Sequence, residues 1–202
     1  HGLPKIALTR LLDRPFVSTE YNYTAPNRFR MAGALLTGAA AAAQDWSGVW
    51  RFEWTMNTND ATRLDFPVPF HATGFDTPGD PLQLVGEGLF AALFLRGDLA
   101  PFRTVAALAI SRRAVKESKS AIEPDLKNHP ILAAGWRTRI GTLVTDGRAP
   151  EGMRTWRYPK ALEEDSGQLI AGLPLEPRIA VDRKRGSFAV STPRTCAVFA
   201  EE

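Results

Sequence analysis

The chain has 202 residues, 44% hydrophobic and 23% charged, with a net charge of +3, which allows a buried core in one large or two small domains. Lys and Arg are scattered, and their densest cluster, Arg183-Lys184-Arg185, is too short for a nucleic-acid footprint, so no nucleic-acid partner is expected. The single cysteine, Cys196, excludes an internal disulfide framework and a Cys-based zinc site.

The most apolar stretch, Met31 to Ala43, is Ala-rich and too short to cross a bilayer, so no membrane association is expected. No signal peptide is visible, and the composition leaves the compartment open. His1 stands at the front and the first methionine is Met31, well inside patterned sequence. The chain therefore reads as cut at its N-terminal side.

In chain order, Lys5 to Pro15 carries Ile6, Leu8, Leu11 and Leu12, a loose helical spacing that Pro15 ends. "FVSTEYN" follows as a short strand that finishes on Glu20 with Tyr21, Asn22 and Tyr23 behind it. Pro26-Asn27 marks a turn or an N-cap region. From Phe29 to about Gln44 the residues are small and apolar, with no charge after Arg30. A helix of that kind is buried on most sides. "SGVWRFEWT" alternates Val49, Arg51 and Glu53 against Trp50, Phe52 and Trp54, the period of a strand. Trp50 is expected in the core. The strand-helix-strand order implies a βαβ unit and parallel pairing.

Met56 to Pro81 is a long polar section of the lid-like or functional kind. An amphipathic helix follows from Asp80, with Asp80 as N-cap, Pro81 in the first turn and Gly97 as the stop. Beyond Pro101 the character changes: Val105 to Val115 reads as a strand, "HPILAAGWRTRIG" holds a short helix, and residues 166 to 200 are short apolar runs between turns. "DRKRG" reads as a hairpin loop with its glycine at the exit. The expected organisation is an α/β piece, residues 1–103, and a β-rich piece, residues 104–202. In the β-rich piece Ile179, Phe188, Val190 and Val198 are expected to face an antiparallel core.

"PFVSTEYNYTAPNRFRMAGALLTGAAAAAQDWSGVWRFEWT", then "FDTPGDPLQLVGEGLFAALFLRGDLAP" and the tail "GSFAVSTPRTCAVFAEE", resemble the end of the (β/α)8 barrel in clan A glycoside hydrolases. The likeness covers most of residues 13 to 103 and again 166 to 200. It implies the seventh and eighth βα units of a TIM barrel, followed by an antiparallel β-sandwich. By that resemblance Glu20 matches the catalytic nucleophile and Trp54 the tryptophan that floors the sugar site. Tyr21, Asn22 and Asn27 would hold the nucleophile's geometry or contact sugar hydroxyls. Ser47 departs from the family's "QDWDG", and no role is assigned to it. The acid/base glutamate belongs to the family's fourth strand, which is not in this chain. The implied partners are a carbohydrate substrate and either a missing N-terminal barrel segment or a second chain; no cofactor or metal is expected.

Plainer readings stand beside these. Glu20 would be a solvated strand end, and Trp46 a core or interface residue. Glu53 would be a strand-edge partner for an arginine, or a second carboxylate. Asp76 and Asp80 would be solvated or capping residues, and His71 either borders a cleft or does nothing chemical. Arg96-Gly97-Asp98 would be a helix stop with a local ion pair, and Cys196 a small core residue. The alternative function is a non-catalytic carbohydrate-binding or interaction module.

Overall fold

A computed structural model describes residues 3–54, 75–77, 80–117, 130–158, 160, 170–182 and 184–200. His71 and most of the long polar section lie outside the described residues. The order is α1 (Leu3–Thr9), β1 (Val17–Tyr21), α2 (Arg30–Ala43), β2 (Gly48–Arg51), α3 (Pro81–Leu93), β3 (Val105–Ile110), α4 (Arg112–Glu117), a 3-10 helix (Pro130–Trp136), β4 (Arg139–Val144), β5 (Arg154–Arg157), β6 (Ile179–Asp182), β7 (Ser187–Ser191) and β8 (Cys196–Phe199).

The first helix stops sooner than its apolar spacing predicts. Residues 10–12 leave it because β4 offers them backbone partners: Leu12 N–H donates to Thr142 O at 3.2 Å and Thr142 N–H to Arg10 O at 2.7 Å. Gly141 makes this approach possible, since a Cβ there would sit 2.7 Å from Leu12 and 2.9 Å from Arg10 O.

β1 and β2 pair in parallel, Val17 opposite Gly48 and Tyr21 opposite Arg51, with a register irregularity between Ser18 and Tyr21. Helix α2 is the crossover between them, as the strand-helix-strand pattern implies. Eleven of its fourteen residues are buried, and they serve two cores. Ala40 and Ala41 join α1, β3, the 3-10 helix and Trp156 in one cluster. Leu35, Ala39, Ala42 and Ala43 join Leu93, Leu99, Phe102, Ile179, Phe188 and Val190 in the other. Its small side chains let elements close in from both sides, so the chain itself covers this helix, which carries no charge after Arg30. Both cores draw residues from either side of position 103.

β3 lies between β4 and β5, and all three strands are parallel. The expected antiparallel pattern does not hold here, and the cause is legible in "VAALAI". A run that is apolar on both faces suits the middle of a covered parallel sheet rather than a half-wet antiparallel one. β6, β7 and β8 form an antiparallel meander. Its hairpin loop is held by Asp182, whose Oδ1 accepts from Lys184 N–H (2.9 Å) and Arg185 N–H (3.1 Å). Gly186 at the exit has φ 59°, a conformation glycine adopts without strain. Ile179, Phe188 and Val190 are buried, but Val198 is 70% exposed. β8 runs the other way round, with Ala197 and Phe199 packed inward. Among the described residues this sheet rests on α2, α3 and the segment after α3, not on a second sheet.

The meander is fastened to the end of α3 through Asp98. Its carboxylate accepts from Arg96 Nε (3.0 Å) and Thr195 Oγ1 (2.5 Å) and pairs with Arg194 Nη2 at 2.9 Å. Arg96-Gly97-Asp98 is thus a helix stop with a local ion pair, and it also meets the Thr192–Thr195 turn, where Thr192 N–H donates to Thr195 O at 2.8 Å. Gly97 has φ 73°. Cys196 is exposed rather than a core residue.

Candidate functional site

Because β1 and β2 are parallel, their C-terminal ends lie side by side, the end where strand-borne sites of α/β folds are built. Glu20 is the penultimate residue of β1 and is exposed. Ser18 Oγ donates to its backbone oxygen at 3.2 Å. Across the pair, Phe52 N–H donates to Tyr21 O at 2.9 Å, which carries the β2 backbone on past the last strand residue. Trp54 follows, 52% exposed.

The faces of this small sheet are reversed from expectation. The alternation along β2 is present, but the charged side faces inward. Arg51 lies against α3, its Nη1 2.8 Å from Glu87 Oε1, and it hydrogen-bonds Gln83 Oε1. Its guanidinium also covers the Tyr21 ring at 5.2 Å. Trp50, expected in the core, is 66% exposed, and Phe52 is exposed beside it. An arginine that finds a carboxylate and an amide on α3 and the aromatic face of Tyr21 on β1 outweighs what burying the tryptophan on that side would give.

Tyr21 sits in the interior, stacked on Phe90 with ring centroids 5.9 Å apart and edge-on to Tyr23 at 6.1 Å. Burial pushes its hydroxyl up to about 12, against smaller opposing effects of Arg51. Behind it Gly33 faces Tyr23, where a Cβ would come within 2.2 Å of the ring. Asn22 is partly buried; its Nδ2 donates to Phe75 O at 3.1 Å, while Oδ1 is buried without a donor. Asn27 is exposed, and its Oδ1 accepts from Phe29 N–H at 2.9 Å. That bond commits Asn27 to the turn into α2.

Thr77 ties this end together, and nothing in its sequence neighbourhood signals it. Its Oγ1 accepts from Arg51 Nε at 2.9 Å and donates to Glu53 O at 2.8 Å, and its N–H donates to Trp54 O at 2.9 Å. Asp80 is the N-cap foreseen for α3, accepting from Leu82 N–H (3.0 Å) and Gln83 N–H (3.4 Å), worth about 1 kcal/mol. Its carboxylate also pairs with Arg30. Burial alone would raise Asp80, but Arg30, Gln83 and the Leu82 N–H together hold it below the usual carboxylate range.

Among the described residues Glu53 has no arginine partner, contrary to expectation; Arg51, on the same side, is taken by α3. Its Oε1 is buried and accepts no hydrogen bond. Loss of solvent, and then the neighbouring Asp76 carboxylate, push its carboxyl above the ordinary value. Trp46 is a core residue, edge-on to Phe16 at 5.1 Å.

Glu20, Asn22, Glu53 and Trp54 thus all lie at the C-terminal end of this strand pair, with Tyr21 buried in β1 and Asn27 in the turn before α2. Among the described residues no three His, Cys, Asp or Glu side chains are grouped to hold a metal, and no helix is long and apolar enough to cross a membrane. In comparisons with known proteins, no family model, curated protein or solved structure matches this chain.

Proposed function

We propose that this chain supplies the last two βα units of a (β/α)8-barrel retaining glycoside hydrolase, with Glu20 as nucleophile, acting on β-linked bonds of a poly- or oligosaccharide. One observation carries the reading. Among the described residues β1 and β2 are parallel strands that pair only with each other and carry helices on one face, while Trp50, Phe52 and Trp54 are exposed. Parallel sheets are ordinarily covered on both faces, and a barrel's remaining strands would cover this one. Glu20 and Trp54 stand at the C-terminal end, where barrel enzymes keep their chemistry.

In the proposed reaction the Glu20 carboxylate attacks the anomeric carbon, forming a glycosyl ester as the leaving oxygen departs. A second carboxyl about 5–5.5 Å away protonates that oxygen and then deprotonates the water that releases the sugar. This acid/base group comes from a segment outside these residues. Trp54 offers its ring to the apolar face of the sugar.

2,4-Dinitrophenyl 2-deoxy-2-fluoro-β-glycosides test the assignment, since their leaving group departs without acid assistance and the ester accumulates. A panel of these is incubated with the chain, alone and with the polypeptide encoded upstream, and the digests are read by mass spectrometry. Glycosylation of the peptide carrying Glu20, absent in Glu20→Gln, is expected. Labelling elsewhere, or none in either preparation, refutes the nucleophile. The second reading, a carbohydrate-binding module without catalysis, draws on the exposed aromatic face and requires binding without labelling.

A further inference from the structure

Resting on that reading, we propose that Thr77 is a positioning residue of the same site, holding the end of β2 so that Trp54 is set as a platform before any sugar arrives. Thr77 is wholly buried, so it meets no sugar itself and acts only through Trp54. Among the described residues the last backbone bond between β1 and this segment runs from Phe52 N–H to Tyr21 O. Glu53 and Trp54 lie beyond it, and Thr77 takes both of their carbonyl oxygens. Its Oγ1 donates to Glu53 O at 2.8 Å and its N–H donates to Trp54 O at 2.9 Å.

The clamp is anchored in α3 rather than in the strand it holds. The Thr77 hydroxyl has one proton to give, which goes to Glu53 O, and its lone pairs receive Arg51 Nε at 2.9 Å. Arg51 is in turn held by Glu87 and Gln83 of α3. Thr77 O accepts from the N–H of Asp80, the cap of that helix, at 3.1 Å. Two residues before Thr77, Phe75 meets both strand ends. Its carbonyl accepts from Asn22 Nδ2 at 3.1 Å, and its ring lies edge-on to Phe52 at 5.5 Å. Asn22 stands two residues after Glu20. Residues 75–77 therefore bind the chain that follows the nucleophile and the chain that carries the platform, and set one against the other. A ring that must be ordered as the sugar arrives gives up part of its contact energy to that ordering. Hydrogen bonds behind the site supply the order in advance.

The test follows labelling kinetics of the full chain with its upstream polypeptide, using whichever 2-deoxy-2-fluoro-β-glycoside of the panel reacts fastest. Half-saturation reports the fit of the sugar to its platform, the limiting rate reports Glu20, and the fraction labelled at completion reports how much protein is folded. Thr77→Val keeps the branched shape and the N–H but removes the hydroxyl bonds, whereas Thr77→Ser keeps them. Thr77→Val should raise half-saturation about threefold to tenfold, the worth of one ring contact, with the limiting rate and labelled fraction unchanged. Thr77→Ser should stay near wild type. Trp54→Ala should raise half-saturation by a similar factor, and adding Thr77→Val to it should raise it no further, because residues acting through one ring are not additive. Equal half-saturation in Thr77→Val and wild type overturns the proposal and leaves the Glu20 assignment standing. A full further loss in the double variant also overturns it, since Thr77 would then act elsewhere. So does a lower labelled fraction as the sole change, which would make Thr77 a folding residue alone. Should Thr77→Val not fold, amide exchange in the wild-type protein decides. The Thr77 N–H should be protected without sugar, and exchange at the rate of an open chain overturns the clamp. No labelling of Glu20 in wild type overturns the nucleophile assignment, and this proposal with it.

Discussion

Gln44 is the residue whose replacement tests the packing argument most sharply. It follows α2 directly, is almost wholly buried, and its side chain is fully used. Nε2 donates to Gly135 O at 2.7 Å and to Thr138 O at 2.8 Å, and Oε1 accepts from Ile140 N–H at 2.8 Å. Gln44→Ala strands one backbone donor and two acceptors, each costing about 1–3 kcal/mol when buried, and leaves a cavity as well. Allowing for partial relaxation, the loss should be about 4 kcal/mol, against a typical total stability of ~5–15 kcal/mol. Gln44→Glu keeps the shape but turns a carboxylate toward the Gly135 and Thr138 oxygens. Burial and these acceptors raise the introduced group above its unfolded value of about 4.3. The folded variant then binds more protons than the unfolded one, so its deficit grows as pH rises from about 4.3. Urea unfolding at several pH values reads both effects, provided the m-value is unchanged. A Gln44→Ala variant within about 1 kcal/mol of wild type, or a Gln44→Glu deficit that ignores pH, would refute the reasoning.

Tyr21, with its hydroxyl at about 12 against an ordinary 10.0, stays neutral in the fold after the unfolded chain has ionised. Stability should fall by roughly 2–3 kcal/mol between about pH 10 and 12, and Tyr21→Phe should remove that part of the alkaline slope in thermal melts. Asp98 is held down to about 2 by hydrogen bonds from Arg96 and then Thr195. Its contribution is complete above its ordinary 3.8 and is lost as pH falls through about 2. Asp98→Asn should flatten that part of the acid denaturation curve, and an unchanged curve would exclude the clamp as a stabilising contact. Gly33→Ala should cost about 1–3 kcal/mol by overpacking, because three atoms of Tyr23 lie 2.2–2.8 Å from the added methyl position; a stability equal to wild type in urea would count against this placement of Tyr23.

Features set by neighbouring residues were legible. Asp80 and Pro81 announce the start of α3, Gly186 the hairpin exit, and "FVSTEY", the small-residue helix and "GVWRFEW" the parallel βαβ unit. Features that depend on distant partners were not. Alternation in "GVWRFEW" gives two faces but not which one is covered; that was settled by Gln83 and Glu87 of α3, more than thirty residues on. The same limit reversed Val198 in β8. "VAALAI" shows a strand, but its parallel partners lie across two helical segments. At the site, Asn22 and Trp54 were readable as polar and aromatic strand-end residues. Thr77, which fixes the segment bearing Glu53 and Trp54, carries no local mark because its bonds span more than twenty residues. Gln44 lay inside the "QDWSG" motif, but its partners on the 3-10 helix and β4 could not be read from that motif.

Helix α2, shared by two cores, makes the chain indivisible. Severed between residues 103 and 104, the first product would keep α2 yet expose its Ala40–Ala41 side, and the second would keep β3 and Ile140 with nothing to lay across them. Neither half could close by itself, but each would carry the other's missing wall. Two separately expressed fragments should therefore recombine without a covalent link, which makes this junction a natural place to split the protein for a complementation reporter. Tags appended at the cut would come together only as the Gln44 side chain regained its three backbone partners.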